Sequence, residues 1–252
     1  MTQHISRPTD GKLVKRPQEQ VDEILSKVSS TVVLKQFLSR TDRDTLFDIY
    51  NSNSRRIIKN TGPIALIADE FKELPAFQNI FNKVQKELQL DLNIWAGNFF
   101  ETDKPYVIHN DVDYRHNIIP GKCLVIPLQK FYLEDAPVRD SDTQFHIFDQ
   151  MFFHAPVKCF KGSTDIPNFY NWPLYDYKDV HGLHEDNRKP DINTMFDEKY
   201  PQWMEGFSIE SSCDWVPGDV IVFDCVRLHC ASNFLDNGIY KKIGLSLFTS
   251  YV

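Results

Sequence analysis

The chain has no basic stripe. No run of Lys or Arg occurs in its 252 residues, and acidic side chains outnumber basic ones for a net charge of -7. A polyanion-binding surface needs a cationic footprint, so nucleic acid is not an expected partner. There is no CxxC either. The five cysteines (Cys123, Cys159, Cys213, Cys225, Cys230) are odd in number and their spacings fit no structural zinc pattern. Buried free thiols are the expectation. No apolar run reaches the roughly 20 residues of a membrane helix, so no membrane partner is expected. Residues 1–15 hold no apolar core of the kind a secretion signal carries. Together these absences predict a soluble, cytoplasmic protein in a reducing setting. Internal repeats and low-complexity tracts are absent too, which leaves an ordinary globular chain.

What is present supports a real core. The composition is 42% apolar and 25% charged, so disorder is not the default. The 19 Phe and 10 Tyr lean towards sheet. The length suits one domain over 1–252, with an arm and helices in 1–90 and a β-domain in 91–252. Val21, Ile24, Leu25 and Val28 repeat at helical spacing. Thr41-Asp42-Arg43-Asp44 resembles a capping box ahead of Leu46, Ile49 and Tyr50. Pro75 suits the first turn of a third helix whose apolar face is Phe77, Ile80, Phe81, Val84 and Leu88. After Leu90 the period shortens. Strands are predicted near 92–100, 106–111, 122–128, 143–150, 207–213, 219–224 and 241–250. Pro120-Gly121, Pro217-Gly218 and Asn237-Gly238 supply turns. Strands this close, with no helices between them, predict an antiparallel sandwich or barrel. A stretch at about 156–206 breaks the rhythm. It is rich in Pro, Asp and Asn and carries Phe169, Tyr170, Trp172, Tyr175, Tyr177 and Trp203. Such an insertion either packs its aromatics on the barrel's outside or walls the active site.

His109-Asn110-Asp111 and the distant His229 carry the chemistry. Two imidazoles and one carboxylate are the ligand set of a non-haem Fe(II) oxygenase. On a strand, His109 and Asp111 share a face, so one segment offers two neighbouring ligands. A distant strand must bring the third. A second such pattern, His184-Glu185-Asp186 with His181 nearby, lies in the insertion and reads as solvated loop. His229 follows a turn and a buried strand, Trp215 to Asp224, and is expected just past a strand end, facing a cavity.

Taken together, PGDVIVFD, then LHCASN, then a basic pair opening a final strand resemble the C-terminal half of the Fe(II)/2-oxoglutarate-dependent dioxygenases. The likeness spans about 92–250 and is closest to the phytanoyl-CoA-hydroxylase-like and prolyl-hydroxylase-like branches. It implies a mainly β fold with N-terminal helices around a double-stranded β-helix, a jelly-roll, cupin-like core. It implies His109, Asp111 and His229 as catalytic metal ligands, with Fe(II), 2-oxoglutarate and O2 as cofactor and cosubstrates. It implies hydroxylation of a C–H bond of a small molecule or amino-acid residue, with release of succinate and CO2. The retained Asp111 matters, because halogenating relatives lack that carboxylate. The family usually anchors the far carboxylate of 2-oxoglutarate with Arg, whereas this chain offers Lys241-Lys242, which keeps the charge and loses the fork. Alternation puts Lys242, Gly244 and Ser246 on a small polar face and Lys241, Ile243, Leu245 and Leu247 on the other. Lys242 is the preferred anchor, Lys241 the second, and Ser246 a further donor. Asn98, Tyr106, Arg115 and Arg227 lie close enough in sequence to line the pocket. A cupin-like metal enzyme without 2-oxoglutarate would leave Lys242 idle. A non-catalytic jelly-roll binding module would leave His109 and Asp111 apart from His229.

Overall fold

The computed structural model describes residues 16–52, 64–67, 74–103, 109–111, 118–151, 158–159, 171–172, 208–232 and 234–252. Three helices come first. Helix α1 (Gln18–Lys27) buries Val21 and Ile24, while Leu25 stays exposed and Val28 already has extended backbone as the C-cap. Helix α2 (Arg40–Ser52) buries Leu46 and Tyr50. Its capping box starts earlier than the sequence pattern indicated. The Asp42 N–H donates to Ser39 Oγ at 3.1 Å, and the Ser39 N–H and hydroxyl donate to the Asp42 carboxylate. Ser39 takes the role because it directly precedes the helix, whereas Thr41 already lies inside it and its carbonyl accepts from the Thr45 hydroxyl. Helix α3 (Pro75–Leu88) has its proline in the first turn and buries Phe77, Ile80, Phe81 and Val84.

The strands are β1 (Val32–Leu34), β2 (Ile64–Ile67), β3 (Leu92–Thr102), β4 (Pro120–Tyr132), β5 (Gln144–Met151), β6 (Lys158–Cys159), β7 (Asn171–Trp172), β8 (Ile209–Asp214), β9 (Val220–Asp224), β10 (Arg227–Ala231) and β11 (Ile239–Tyr251). A six-stranded sheet runs β1-β9-β4-β11-β3-β2, and a three-stranded sheet runs β10-β5-β8; every pairing in both is antiparallel. The short β6 and β7 pair in parallel.

Six predicted strands appear within a few residues of their expected places. β1, β2, β6, β7 and β10 were not anticipated. All five are short, and β1 and β2 are edge strands with one neighbour each, so little periodicity marks them. Of 106–111, only 109–111 falls among the described residues. Most of 156–206 lies outside them, with His181, His184 and Asp186, and so do Tyr106 and Arg115.

Alternation sorts the large sheet's side chains into two cores. On one face, Leu124, Ile126 and Leu128 of β4, Val220 and Val222 of β9, and Ile243, Leu245 and Leu247 of β11 pack under α2 and α3. On the other face, Cys123, Val125, Ile221 and Phe223 meet Phe145, Ile147, Cys213 and Trp215 from the small sheet. β4 is covered from both sides, so its sequence reads as an almost continuous apolar run. Pro127 sits at a register shift, where its missing N–H leaves no gap in the ladder. Gly218 turns into β9 with φ +101°, a conformation that favours glycine. Among the described residues, no helix is long and apolar enough to cross a membrane.

Candidate metal centre

Backbone pairing brings His109 to His229. The His109 N–H donates to the His229 carbonyl at 3.0 Å, and the His229 N–H donates to the His109 carbonyl at 2.8 Å. Such a reciprocal pair places both side chains on the same side of the bridge. Their ring centroids are 4.1 Å apart. The bridge then ends, and the Asp111 N–H donates to the Cys225 carbonyl instead, at 3.0 Å. Asn110 between them is buried, and Asp111 turns back to the histidines. Its Oδ2 lies 3.3 Å from His229 Nε2 and its Oδ1 3.8 Å from His109 Nε2. One donor atom from each of the three residues falls within 4.8 Å of the others. His229 lies inside β10, not past a strand end as the sequence indicated. The turn at Cys225-Val226 reverses the chain at once, so the strand begins at Arg227.

The environment of His229 favours its neutral imidazole. Its Nδ1 lies 3.1 Å from the Arg227 carbonyl, which can only accept. Nδ1 therefore holds the proton, and Nε2 turns a lone pair towards Asp111. Burial pushes His229 below the ordinary imidazole range, against the opposing pull of Asp111. Phe223 and Phe145 wall the ring at 4.7 Å and 5.1 Å between centroids. On the other side of Asp111, the Cys123 thiol donates to Oδ2 at 3.2 Å. Burial and the Asp111 charge push that thiol well above its usual value.

Along the same inner face of β11 lie Lys242, Gly244, Ser246 and Phe248, and Phe248 is opposite Cys123. Lys242 is only 2% exposed. Its ammonium donates to Thr143 Oγ1 at 3.2 Å and sits over the rings of Phe234 and Trp215, at 4.3 Å and 5.0 Å. Among the described residues no carboxylate forms an ion pair with it. The nearest acidic influence, Asp142, is already engaged by Lys130 and Tyr132, each at 2.6 Å. Burial first, then the like charge of Lys130, push Lys242 down to about 7. Gly244 is required beside it, since a Cβ there would lie 2.5 Å from Phe100 Cζ. Ser246 is half-buried and pairs with Asn98 across the β3 ladder. Lys241 points the other way, to Glu101 at 3.7 Å and over Phe131 at 4.3 Å. Arg227 donates to the Phe148 carbonyl and lies 3.8 Å from both Asp224 and Asp149, so its charge is already met.

Thr143, Phe234 and Cys123 were not singled out from sequence. Nothing local marks them: each acts only because a strand from elsewhere in the chain faces it.

No protein-family model matches the chain, and no curated protein matches it in sequence. Solved structures do resemble it. The non-heme alpha-ketoglutarate-dependent carbocyclase SnoK from nogalamycin biosynthesis aligns over 98% of this chain and 87% of its own, at 12% identity and a TM-score of 0.50. EctD from S. alaskensis, solved with 2-oxoglutarate and 5-hydroxyectoine, aligns over 96% of this chain and 83% of its own, at 11% identity and a TM-score of 0.49. At 12% identity the likeness to SnoK speaks for the fold alone, and it agrees with the two antiparallel sheets described above: the chain has the double-stranded β-helix, or jelly-roll, fold.

Proposed function

We propose that the chain is an Fe(II)- and 2-oxoglutarate-dependent oxygenase that hydroxylates a C–H bond of a small molecule or amino-acid residue. His109, Asp111 and His229 hold the metal, and Lys242 pairs with the far carboxylate of 2-oxoglutarate. Ser246 adds a hydrogen bond on the same face. The overall conversion takes substrate, 2-oxoglutarate and O2 to hydroxylated substrate, succinate and CO2. The whole chain acts as one domain.

One observation carries the proposal. A three-donor cluster and a buried lysine with no carboxylate partner among the described residues meet one short segment: the His229 ring packs on Phe145, and the Lys242 ammonium donates to Thr143 two residues earlier. A buried cation is costly without an anion, and among the described residues this one meets a hydroxyl and two aromatic faces. Three protein donors leave up to three positions on a six-coordinate ion. His229 presents a bare Nε2, as ligation requires. The bound iron and cosubstrate supply oxygen activation. The protein binds, orients and keeps water out, the last through Phe145, Phe223 and Trp215. A cupin-like enzyme without 2-oxoglutarate gives no use for the Lys242 pocket.

The test is anaerobic loading. One equivalent of Fe(II) followed by 2-oxoglutarate gives a weak visible charge-transfer band, and His109→Ala removes it while the folded circular dichroism spectrum persists. Iron bound without a band would defeat the 2-oxoglutarate assignment. Unchanged metal binding in His109→Ala would take that residue out of the site.

A further inference from the structure

Resting on the oxygenase reading, we propose that Cys123 is a positioning residue for the metal centre: its thiol holds the Asp111 carboxylate in the orientation that ligates through a single oxygen.

Asp111 is gripped at two points by the large sheet and the turn that follows it. Its backbone N–H donates to the Cys225 carbonyl, and that residue's own N–H donates to the Gly121 carbonyl. Its side chain accepts the Cys123 thiol at 3.2 Å. Cys123 is fully buried on β4, opposite Phe223 of β9 and Phe248 of β11, so the donor cannot swing away. The backbone contact fixes where Asp111 begins. The thiol acts on the carboxylate itself, at Oδ2, and so bears on its rotation.

That rotation matters for the chemistry. A carboxylate that turns both oxygens to the ion takes two coordination positions, and oxygenase chemistry needs those positions open. A donor on Oδ2 uses one of its lone pairs and disfavours symmetric chelation. The thiol is placed to be that donor and not a ligand itself. Among the described residues, no cysteine joins the cluster of donors within 4.8 Å of one another, which holds His109, Asp111 and His229. A thiol is also a weak donor, so it orients the carboxylate without strongly depleting its charge.

The test compares the affinity of full-length protein for Co(II), by chelator competition, across four proteins: wild type, Cys123→Ala, Cys123→Ser and Cys213→Ala. Cys213 is the control, because it is a buried thiol of the same inter-sheet core and lies 3.4 Å from Ser211 Oγ, outside the metal centre. Cys123→Ala is expected to weaken Co(II) about tenfold, the usual loss for a ligand's orienting partner. Cys123→Ser, which keeps a donor, is expected to stay within about threefold of wild type. Cys213→Ala is expected not to change. The visible d–d bands of bound Co(II) should also shift in Cys123→Ala towards higher coordination, and not in the serine variant. Equal affinities and equal spectra in all four proteins would overturn the role of Cys123. An equal loss in Cys213→Ala would do so too, because it would show general loosening. Wild type that binds no Co(II) would instead sink the metal-centre reading itself. Should Cys123→Ala not fold, infrared spectroscopy of folded wild type and Cys123→Ser replaces it. The S–H stretch lost in the serine variant should lie below that of a free alkane thiol in an apolar solvent; a coincident position would refute the hydrogen bond.

Discussion

Lys242, the proposed anchor for 2-oxoglutarate, gives the sharpest solution-state prediction, because its burial would couple cosubstrate binding to pH. The ammonium is held at about 7 in the folded protein, pushed down by burial first and by Lys130 second. Only the protonated form can pair with a carboxylate. Half the molecules are competent near pH 7, about a tenth at pH 8 and about a hundredth at pH 9, and apparent affinity scales with that fraction. With metal saturating, the dissociation constant for 2-oxoglutarate should be flat at pH 6 and rise about tenfold per unit above pH 7. Calorimetry in buffers of different ionisation enthalpy should show nearly one proton taken up per ligand at pH 8 and almost none at pH 6. An ordinary exposed lysine would give no slope until above pH 9. Stability carries the same signature with a definite sign. The unfolded lysine titrates near 10.5 and the folded one near 7, so the unfolded chain binds more protons between those values. The cost of burying Lys242 is full below about pH 7 and is relieved as pH rises through that window. The gap corresponds to a ceiling of about 5 kcal/mol. Lys242→Met should therefore stabilise the ligand-free protein at pH 6, by a margin that shrinks towards pH 10, while losing the stabilisation that 2-oxoglutarate confers. A pH-independent affinity between 6 and 9, or a Lys242→Met protein still stabilised by the ligand, would refute the reasoning.

Other substitutions test the surrounding frame. Lys241→Ala removes an outward ion pair with Glu101 and a ring contact, so 2-oxoglutarate affinity should stay within about twofold, with at most about 1 kcal/mol lost in urea unfolding. Gly238→Ala forces a side chain onto φ +74° with its Cβ 2.4 Å from that of Ala136; chemical denaturation should show about 1–3 kcal/mol lost. Ser39→Ala removes the cap of α2 and should cost about 1 kcal/mol, whereas Thr41→Ala should cost less, which places the capping box directly.

The parts legible in the sequence were those governed by strict periods. β4, β9 and β11 announce themselves because alternation and burial act on every residue, and α3 because its stripe runs four turns. The same alternation separated Lys242 from Lys241, and the two ammonium groups do end on opposite faces of β11, one buried against Thr143 and one beside Glu101. What stayed hidden depends on partners distant in sequence. Thr143 and Phe234 surround Lys242 because the small sheet and the turn before β11 close over it. Cys123 looked like any buried thiol until Asp111 was placed against it.

The strand that carries His229 shows why the limit falls there. Arg227-Leu228-His229-Cys230-Ala231 is only five residues long, opens on an arginine and is buried except at its last residue, so neither alternation nor an apolar run identifies it. Its existence is decided by the β5 strand it pairs with and by the bridge to His109. Those same contacts are what place the imidazole. A histidine past a strand end would be aimed by a loop and free to miss. Within β10, its backbone is bonded to the residue it must meet, its Nδ1 to a carbonyl two residues back, and its ring is held between Phe145 and Phe223. The distance between the two proposed ligands, far apart in sequence, is thereby set by one pair of backbone hydrogen bonds, and loosening β10 should cost metal affinity before it costs the fold.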